Sequence, residues 1–530
     1  MSSDRTRGQP CGTATATDLA KPVAVIDIGT SAIRMAIAEI GPEGQIHKLE
    51  TLTQDVQLGR DAFTRGAIGR ATIEDCVRVL KSYRQMLDEY QITRSDRIRV
   101  VATNAVREAE NQLAFLDRIY IATGFQVEPT DEAEVSRITY LGIQPYLRRE
   151  PALANATALV LDVGGGSTEV LVVRGSDVLF SHSYKLGSLR LREMLEAYRA
   201  PTGQLRNIME SQIRRTVEQI VQQVASHPHL EMIALGEEIR FAASQVQPEV
   251  GGDGLARIPI RSLQPFVDMV LDTSVDELVQ SLHLTFANAE TLGPTLLSNV
   301  SVARALKLKD VYVGNVDLRD GLLREMAVAS RWTEESFKPV IQSVLDLGRK
   351  YQFDERHARH VAELAKMLFH ELRSEHRMDA RYELILCVAA LLHEIGTFVG
   401  TRNHHKHTFY LITNSELFGL RTEDLDLIGL VSRYHRGDSP KPNHEKYIML
   451  DREQRIAVAK LAALLRVADA LDRSRSQRVQ QLHCQRDNGR LVISIPNVDD
   501  LSLEELALKE KGPLFEEIFG LQVLLRKVGS

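Results

Sequence analysis

Residues Ala158–Val173 read ALVLDVGGGSTEVLVV. An apolar run ends at Asp162, passes through Gly164, Gly165, Gly166, Ser167 and Thr168, and resumes after Glu169. Both runs are short and rich in Val and Leu, which predicts two β-strands joined by a glycine hairpin. A P-loop or a dinucleotide fingerprint runs instead from strand into helix. Here the chain returns as a strand, and no Gly-Lys-Ser/Thr follows. Successive glycines let backbone N–H groups approach an anion, with Ser167 and Thr168 as added donors. Asp162 and Glu169 flank the bend, and two carboxylates beside a phosphate call for a divalent cation between them.

The pattern occurs once earlier. Val23–Met35, VAVIDIGTSAIRM, again gives an apolar run, Asp27, Gly29, the hydroxyls Thr30 and Ser31, and a second run from Ile33. Two such units about one domain length apart predict an internal duplication, each half bringing a phosphate hairpin to a shared cleft.

Bulk properties bound the rest. The 530 residues predict several domains, and 44% hydrophobic content suits globular cores. A net charge of −6 argues against nonspecific nucleic-acid binding, so a phosphate-rich ligand needs a local cluster of Arg and Lys. Cys11, Cys76, Cys387 and Cys484 have no metal-site spacing and fit a reducing, cytoplasmic setting. No apolar run approaches the ~20 residues of a membrane span. Residues 1–20 are polar, without the apolar core of a signal peptide, and read as a disordered tail.

Further candidates follow in order. Thr72–Tyr90 reads as a helix capped by Thr72. The strand Ile98–Ala102 feeds Thr103-Asn104-Ala105-Val106-Arg107 into a helix start, and Arg107 becomes a candidate phosphate clamp at the sheet's carboxyl edge. In Thr130–Tyr140, TDEAEVSRITY, Glu134 is the candidate general base, with Arg137 one turn on to orient it. Arg190 opens a later helix as a further anion contact, and Arg319 lies near another helix start. The first ~330 residues thus read as two α/β lobes. From Trp332 helical periodicity dominates through Leu471, strands return at Val479–Leu482 and Leu491–Ile495, and Leu501–Leu525 reads as a helix then a strand. His357, His393, Glu394 and Asp469 offer a second, metal-binding constellation in the helical part.

The motifs IDIGTSAIR, ATNAVREAEN, DVGGGSTEV, KLGSLRL and LRDGLL resemble those of the exopolyphosphatase / guanosine pentaphosphate phosphohydrolase family (Ppx/GppA). LLHEIG, YHR and LLRVADALDRS resemble its HD-like region. The resemblance implies an α/β fold of duplicated actin/hexokinase-like (RNase H-type) domains, then an all-α HD-like domain and a small α/β C-terminal cap. The implied divisions are a tail at 1–20, actin-like domains at 21–145 and 146–330, the helical domain at 331–476 and the cap at 477–530.

The resemblance also implies roles. Asp162, Gly164, Gly165, Ser167 and Glu169 would form the second phosphate and Mg²⁺ loop, with Gly166 and Thr168 alongside. Asp27, Gly29, Thr30, Ser31 and Arg34 would form the first. Arg107 would hold a terminal phosphate, beside the anion contacts Arg190 and Arg319 already read from the chain, and Glu134 would activate water. Mg²⁺, or Mn²⁺ in its place, is the implied cofactor. The implied activity is release of terminal orthophosphate from inorganic polyphosphate by a homodimer, with no nucleic acid or membrane as partner. The alternatives are 5′-phosphate hydrolysis of guanosine pentaphosphate, or a weakly active or non-catalytic regulator binding polyphosphate or an alarmone.

Three departures from the family pattern stand out. Ala32 takes the place of a hydroxyl in the first loop. The double acid before Arg137 keeps only Glu134, in Glu134-Val135-Ser136-Arg137. A Gly-Thr loop in the second lobe reads Gly236-Glu237-Glu238.

Overall fold

Each quoted stretch folds as a hairpin. The computed structural model describes residues 21–154, 156–197, 204–247, 254–328, 334–437, 439–441 and 443–528. The expected tail at 1–20 and the junction near residue 330 lie outside them. The chain divides into two units, Met1–Gly175 with His182–Arg331, and Trp332–Ser530 with Ser176–Ser181.

Two sheets precede the helical part of the chain. One has the order β3-β2-β1-β4-β5, built from β1 (Lys21–Ile28), β2 (Ala32–Ile40), β3 (Ile46–Asp55), β4 (Ile98–Ala102) and β5 (Val127–Pro129). The other comprises β6 (Thr157–Val163), β7 (Thr168–Arg174), β8 (Asp177–Tyr184), β9 (Leu230–Leu235), β10 (Leu255–Pro259) and β11 (Asp310–Gly314). Its order is β10-β11-β9-β6-β7-β8. In each sheet an antiparallel hairpin adjoins a parallel strand: β1 pairs β2 antiparallel and β4 parallel, and β6 pairs β7 and β9 likewise. The duplication read from the two Asp-Gly bends is therefore a duplication of topology.

β1 is a continuous apolar run because both of its faces are covered. Ala24, Ile26 and Ile28 enter the larger core. Val23 and Val25 face the opposite way, against Ile138 of the Glu132–Arg149 helix and Leu322 and Leu323 of the Leu318–Val328 helix.

The second unit is helical, with long helices at Glu355–Glu371, Ala380–Leu392, Thr422–Arg433 and Arg452–Leu471. A three-stranded sheet follows, of order β12-β13-β14: β12 (His483–Asp487), β13 (Arg490–Pro496) and β14 (Gln522–Val528).

Three local expectations need correction. The helix expected at Thr72–Tyr90 spans Arg70–Glu89 behind Gly69, and the Thr72 hydroxyl donates to Asp61 instead of capping. The strand expected at Val479–Leu482 forms at His483–Asp487. Val479 and Leu482 are buried outside the ladder, so their apolar character reports packing and not pairing. The segment Leu501–Leu525 holds two helices before its strand, Ser502–Lys511 and Pro513–Phe519.

Candidate functional site

Both bends close with the same bond. The Gly29 amide donates to the Ala32 carbonyl at 3.0 Å, and the Gly164 amide to the Ser167 carbonyl at 2.9 Å. Both are also tied back by a helix start. Val56 and Gly59 donate to the carbonyls of Ser31 and Thr30, while Ser188 and Arg190 donate to those of Gly164 and Gly165. Gly187 makes the second seating feasible, since a Cβ there would lie 2.2 Å from the Gly165 oxygen. With these carbonyls engaged, the loops are left with amide and hydroxyl donors for an anion. The two bends meet: the Thr30 methyl lies 3.0 Å from the position a Cβ on Gly165 would take.

Between them lies a cleft of about 180 Å³, onto which Asp27, Gly29, Thr30, Ser31, Arg34, Asp162, Gly164, Gly165, Ser167, Glu169 and Arg319 all open. The strand register explains the convergence of acids. Asp27 pairs across its hairpin with Arg34, and Asp162 with Glu169. Asp27 is only 8% exposed and its Oδ1 has no hydrogen-bond partner. Burial pushes its carboxyl up to about 6, against the pull of Arg34 and Arg319. Burial likewise pushes Asp162 up to about 6, and the charge of Glu238 adds to the rise. Glu169 rises to about 7 through burial, although the hydroxyls of Ser167 and Ser183 each donate to its Oε1 at 2.7 Å. Its Oε2 has no partner. Buried carboxylate oxygens without partners, beside loop donors, are the donor set of a hard divalent cation bridged to phosphate.

Five expected contacts do not open on the cleft, Gly166 among them. Glu134 is 2% exposed and does not open on the cleft. It lies one helical turn before Ile138, on the face that packs against β1. Arg137 and Arg99 bond its carboxylate at 3.0 and 3.4 Å, and the same two arginines pair with Glu325. The neighbouring Val135 is the residue that reaches the cleft. Arg107 is also set back. It donates to the Thr130 carbonyl at 2.8 Å and to Asn104 Oδ1 at 2.6 Å. Asn104 in turn donates to Ser167 Oγ, which donates to Glu169. Arg190 braces the second bend from behind, donating to the Gly166 carbonyl at 2.9 Å, pairing with Glu108 and stacking 4.0 Å over Phe63. Thr168 donates to the Leu186 carbonyl.

Residues not singled out for the cleft complete its lining. Asn104 stands within a recognised motif, but its reach to Ser167 depends on where β4 ends. Asp317 pairs with Arg319 at 3.1 Å, and Glu237 pairs with Arg34 at 3.0 Å. Glu238 opens on the cleft as well.

The helical unit brings the second constellation together. One ligand atom each from His357, His393 and Glu394 fall within 4.8 Å of one another. Asp469 Oδ1 stands 3.6 Å from His357 Nε2 and 3.8 Å from His393 Nε2. The Nδ1–H of His357 donates to Asp472 at 2.8 Å and that of His393 to the Ala390 carbonyl at 2.7 Å, which turns both Nε2 atoms toward Asp469. Neither Nε2 atom has a hydrogen-bond partner. Burial lowers the His393 pKa, whereas at His357 the same burial is outweighed by the nearby carboxylates of Asp469 and Asp472, and the imidazole rises to about 9. Arg475 grips both oxygens of Glu394 at 2.8 and 2.7 Å, and Lys511 pairs with Asp469. The donor set fits a divalent cation of borderline softness.

Paired hairpins with acids at matching register, on two sheets of repeated topology, define an actin/hexokinase-like fold. The chain belongs to the Ppx/GppA phosphatase family: the family model matches residues 24–329, and that of Ppx/GppA phosphatase domain III matches residues 341–511. Among solved structures, an exopolyphosphatase from Cytophaga hutchinsonii is 19% identical with a TM-score of 0.53, over 58% of this chain and 98% of its own. An exopolyphosphatase-like protein is 20% identical with a TM-score of 0.51, over 57% and 97%. An Aquifex aeolicus Ppx/GppA family member is 22% identical with a TM-score of 0.49, over 59% and 99%. At these identities the likeness to the first two is one of fold. Among the described residues no helix is long and apolar enough to cross a membrane.

Proposed function

We propose that the cleft hydrolyses the terminal phosphoanhydride of inorganic polyphosphate, with Mg²⁺ or Mn²⁺ as cofactor. The observation that carries this reading is the meeting of two glycine bends over Asp27, Asp162 and Glu169, with Asp27 Oδ1 and Glu169 Oε2 buried and unpartnered. Those three carboxylates would hold the cation, which supplies charge neutralisation at the phosphoryl oxygens when bound. Loop amides, Thr30 and Ser167 grip the terminal phosphates. Arg34 and Arg319 offset their charge, and Asn104, held by Arg107, fixes the Ser167 hydroxyl. Positioning and charge stabilisation are the main demands of phosphoryl transfer, and this arrangement meets both. Dimerisation belongs to the same proposal, and sedimentation velocity at micromolar concentration tests it. In the helical unit, His357, His393, Glu394 and Asp469 would hold a cation in a structural or regulatory role.

A second reading, a polyphosphate or alarmone binder without turnover, is favoured by Val135 in the cleft and by the Arg34–Glu237 pair, which engages an anion-binding guanidinium. Phosphate release from long polyphosphate, short polyphosphate and guanosine pentaphosphate, each with and without Mg²⁺ or Mn²⁺, separates the readings. Cation-dependent release, fastest from polyphosphate, is the expected result. Faster release from guanosine pentaphosphate reassigns the substrate, and tight binding without release establishes the binder.

A further inference from the structure

Glu238 has the features of a working residue and no structural task that explains them. It stands in the first turn of the Glu237–Val246 helix, where an acid complements the helix dipole without needing a fixed direction. Yet the Thr291 hydroxyl, from the Phe286–Ala305 helix, donates to Glu238 Oε1 at 2.8 Å and holds the carboxylate in one orientation. The other oxygen, Oε2, lies 3.7 Å from the position a Cβ on Gly236 would occupy, and Asp162 Oδ1 lies 3.8 Å from that same point. Gly236 keeps the gap open, with a φ of +114° that favours glycine. Glu237 is engaged by Arg34, whereas Glu238 and Asp162 form no salt bridge among the described residues. Two like charges thus face each other across a gap closed by no side chain, in a cleft that also holds the buried, unpartnered Oδ1 of Asp27. Such an arrangement is unfavourable until a cation enters.

We propose that Glu238 is a catalytic residue of the phosphoanhydride hydrolysis put forward above, on which this inference rests: with Asp162 it binds the divalent cation, and its Oε2 receives the proton of the attacking water. The water oxygen forms the new bond to the terminal phosphorus, and the bridging P–O bond breaks with its electron pair remaining on the shortened chain. The proton on Glu238 then returns to solvent. The acid comes from the second lobe, in a chain whose Glu132–Arg149 helix turns a valine to the cleft and its glutamate to the core.

Glu238→Gln tests this in the full-length protein. Gln keeps the acceptor for Thr291 and removes only the charge. At saturating Mn²⁺ it is expected to lower kcat for phosphate release from polyphosphate at least 100-fold, with KM within threefold of the unsubstituted protein. Mn²⁺ binding without substrate, followed by electron paramagnetic resonance, is expected to weaken at least tenfold. A kcat within threefold of the unsubstituted protein overturns the inference and leaves the functional reading standing. If the unsubstituted protein releases phosphate from no substrate, that reading falls and takes the proton-accepting role with it. Mn²⁺ affinity then decides the rest: equal affinity removes the Asp162–Glu238 cation site, and a tenfold loss upholds it.

Discussion

Glu134 and Val135 are adjacent in sequence and point to different environments. Residues on a helix turn about a third of a circle per step, so a one-position offset decides between core and cleft. The motif located the helix, but which acid position faces the cleft depends on how Ile138 seats against β1, and no residue pattern states that. Arg107 was legible as a polar residue at a strand end. Its actual role, holding Asn104 toward Ser167, needed the third dimension. Glu134→Gln should accordingly act on stability. Removing one partner of a buried ion pair costs roughly 3–5 kcal/mol, because Arg137 then keeps only Glu325 of its two acids and Arg99 keeps Glu325 and the more exposed Glu128. The expected outcome is a lower thermal midpoint, with phosphate release per folded molecule within a few-fold of the unsubstituted protein. A hundredfold loss of kcat at unchanged stability would return Glu134 to the chemistry.

The two hairpins were legible at the level of elements because the apolar run, the acid, the glycines and the returning run are all local signals. The shared cleft followed from their repetition. The carboxylates there carry a pH signature. Asp27 and Asp162 titrate near 6 and Glu169 near 7 in the folded protein, all above ordinary carboxylate values, chiefly through burial. A raised pKa means the folded state holds its protons more tightly than the unfolded chain. The resulting stability is fully present below about pH 4 and is lost as pH rises through 6 to 7. A divalent cation competes with those same protons. In chelator-treated protein the Mn²⁺-induced rise in thermal midpoint should therefore grow from pH 5 to pH 7.5. Glu169→Gln should flatten that dependence. A shift independent of pH would place the cation away from these acids. The misplaced strand at Val479–Leu482 shows the opposite case: a few apolar residues report burial, but not whether a ladder forms.

Across the whole molecule, a net charge of −6 provides no general attraction for a polyanion, so under the proposed function recognition would fall to the cleft and the cation proposed there. The histidine cluster of the helical unit was legible from residue type and spacing, whereas its engagement by Arg475 and Lys511 was not, since both cations come from distant sequence. Purified protein is expected to carry a transition metal measurable by inductively coupled plasma mass spectrometry. His393→Ala should lose it together with several degrees of thermal midpoint. Protein purified without metal, and unchanged in midpoint when Zn²⁺ or Mn²⁺ is added, would reduce the cluster to a polar contact.

Lys511 closes the Ser502–Lys511 helix by placing its ammonium on Asp469, which belongs to the Arg452–Leu471 helix. That ammonium is a tethered counter-ion on Asp469 Oδ2, the oxygen beside the Oδ1 that faces His357 and His393. An ion held at the proposed histidine site would share that carboxylate with the docked Ser502–Lys511 helix, and linkage would make any competition reciprocal. Loosening that helix would then favour the proposed ion, and loading the ion would loosen the helix.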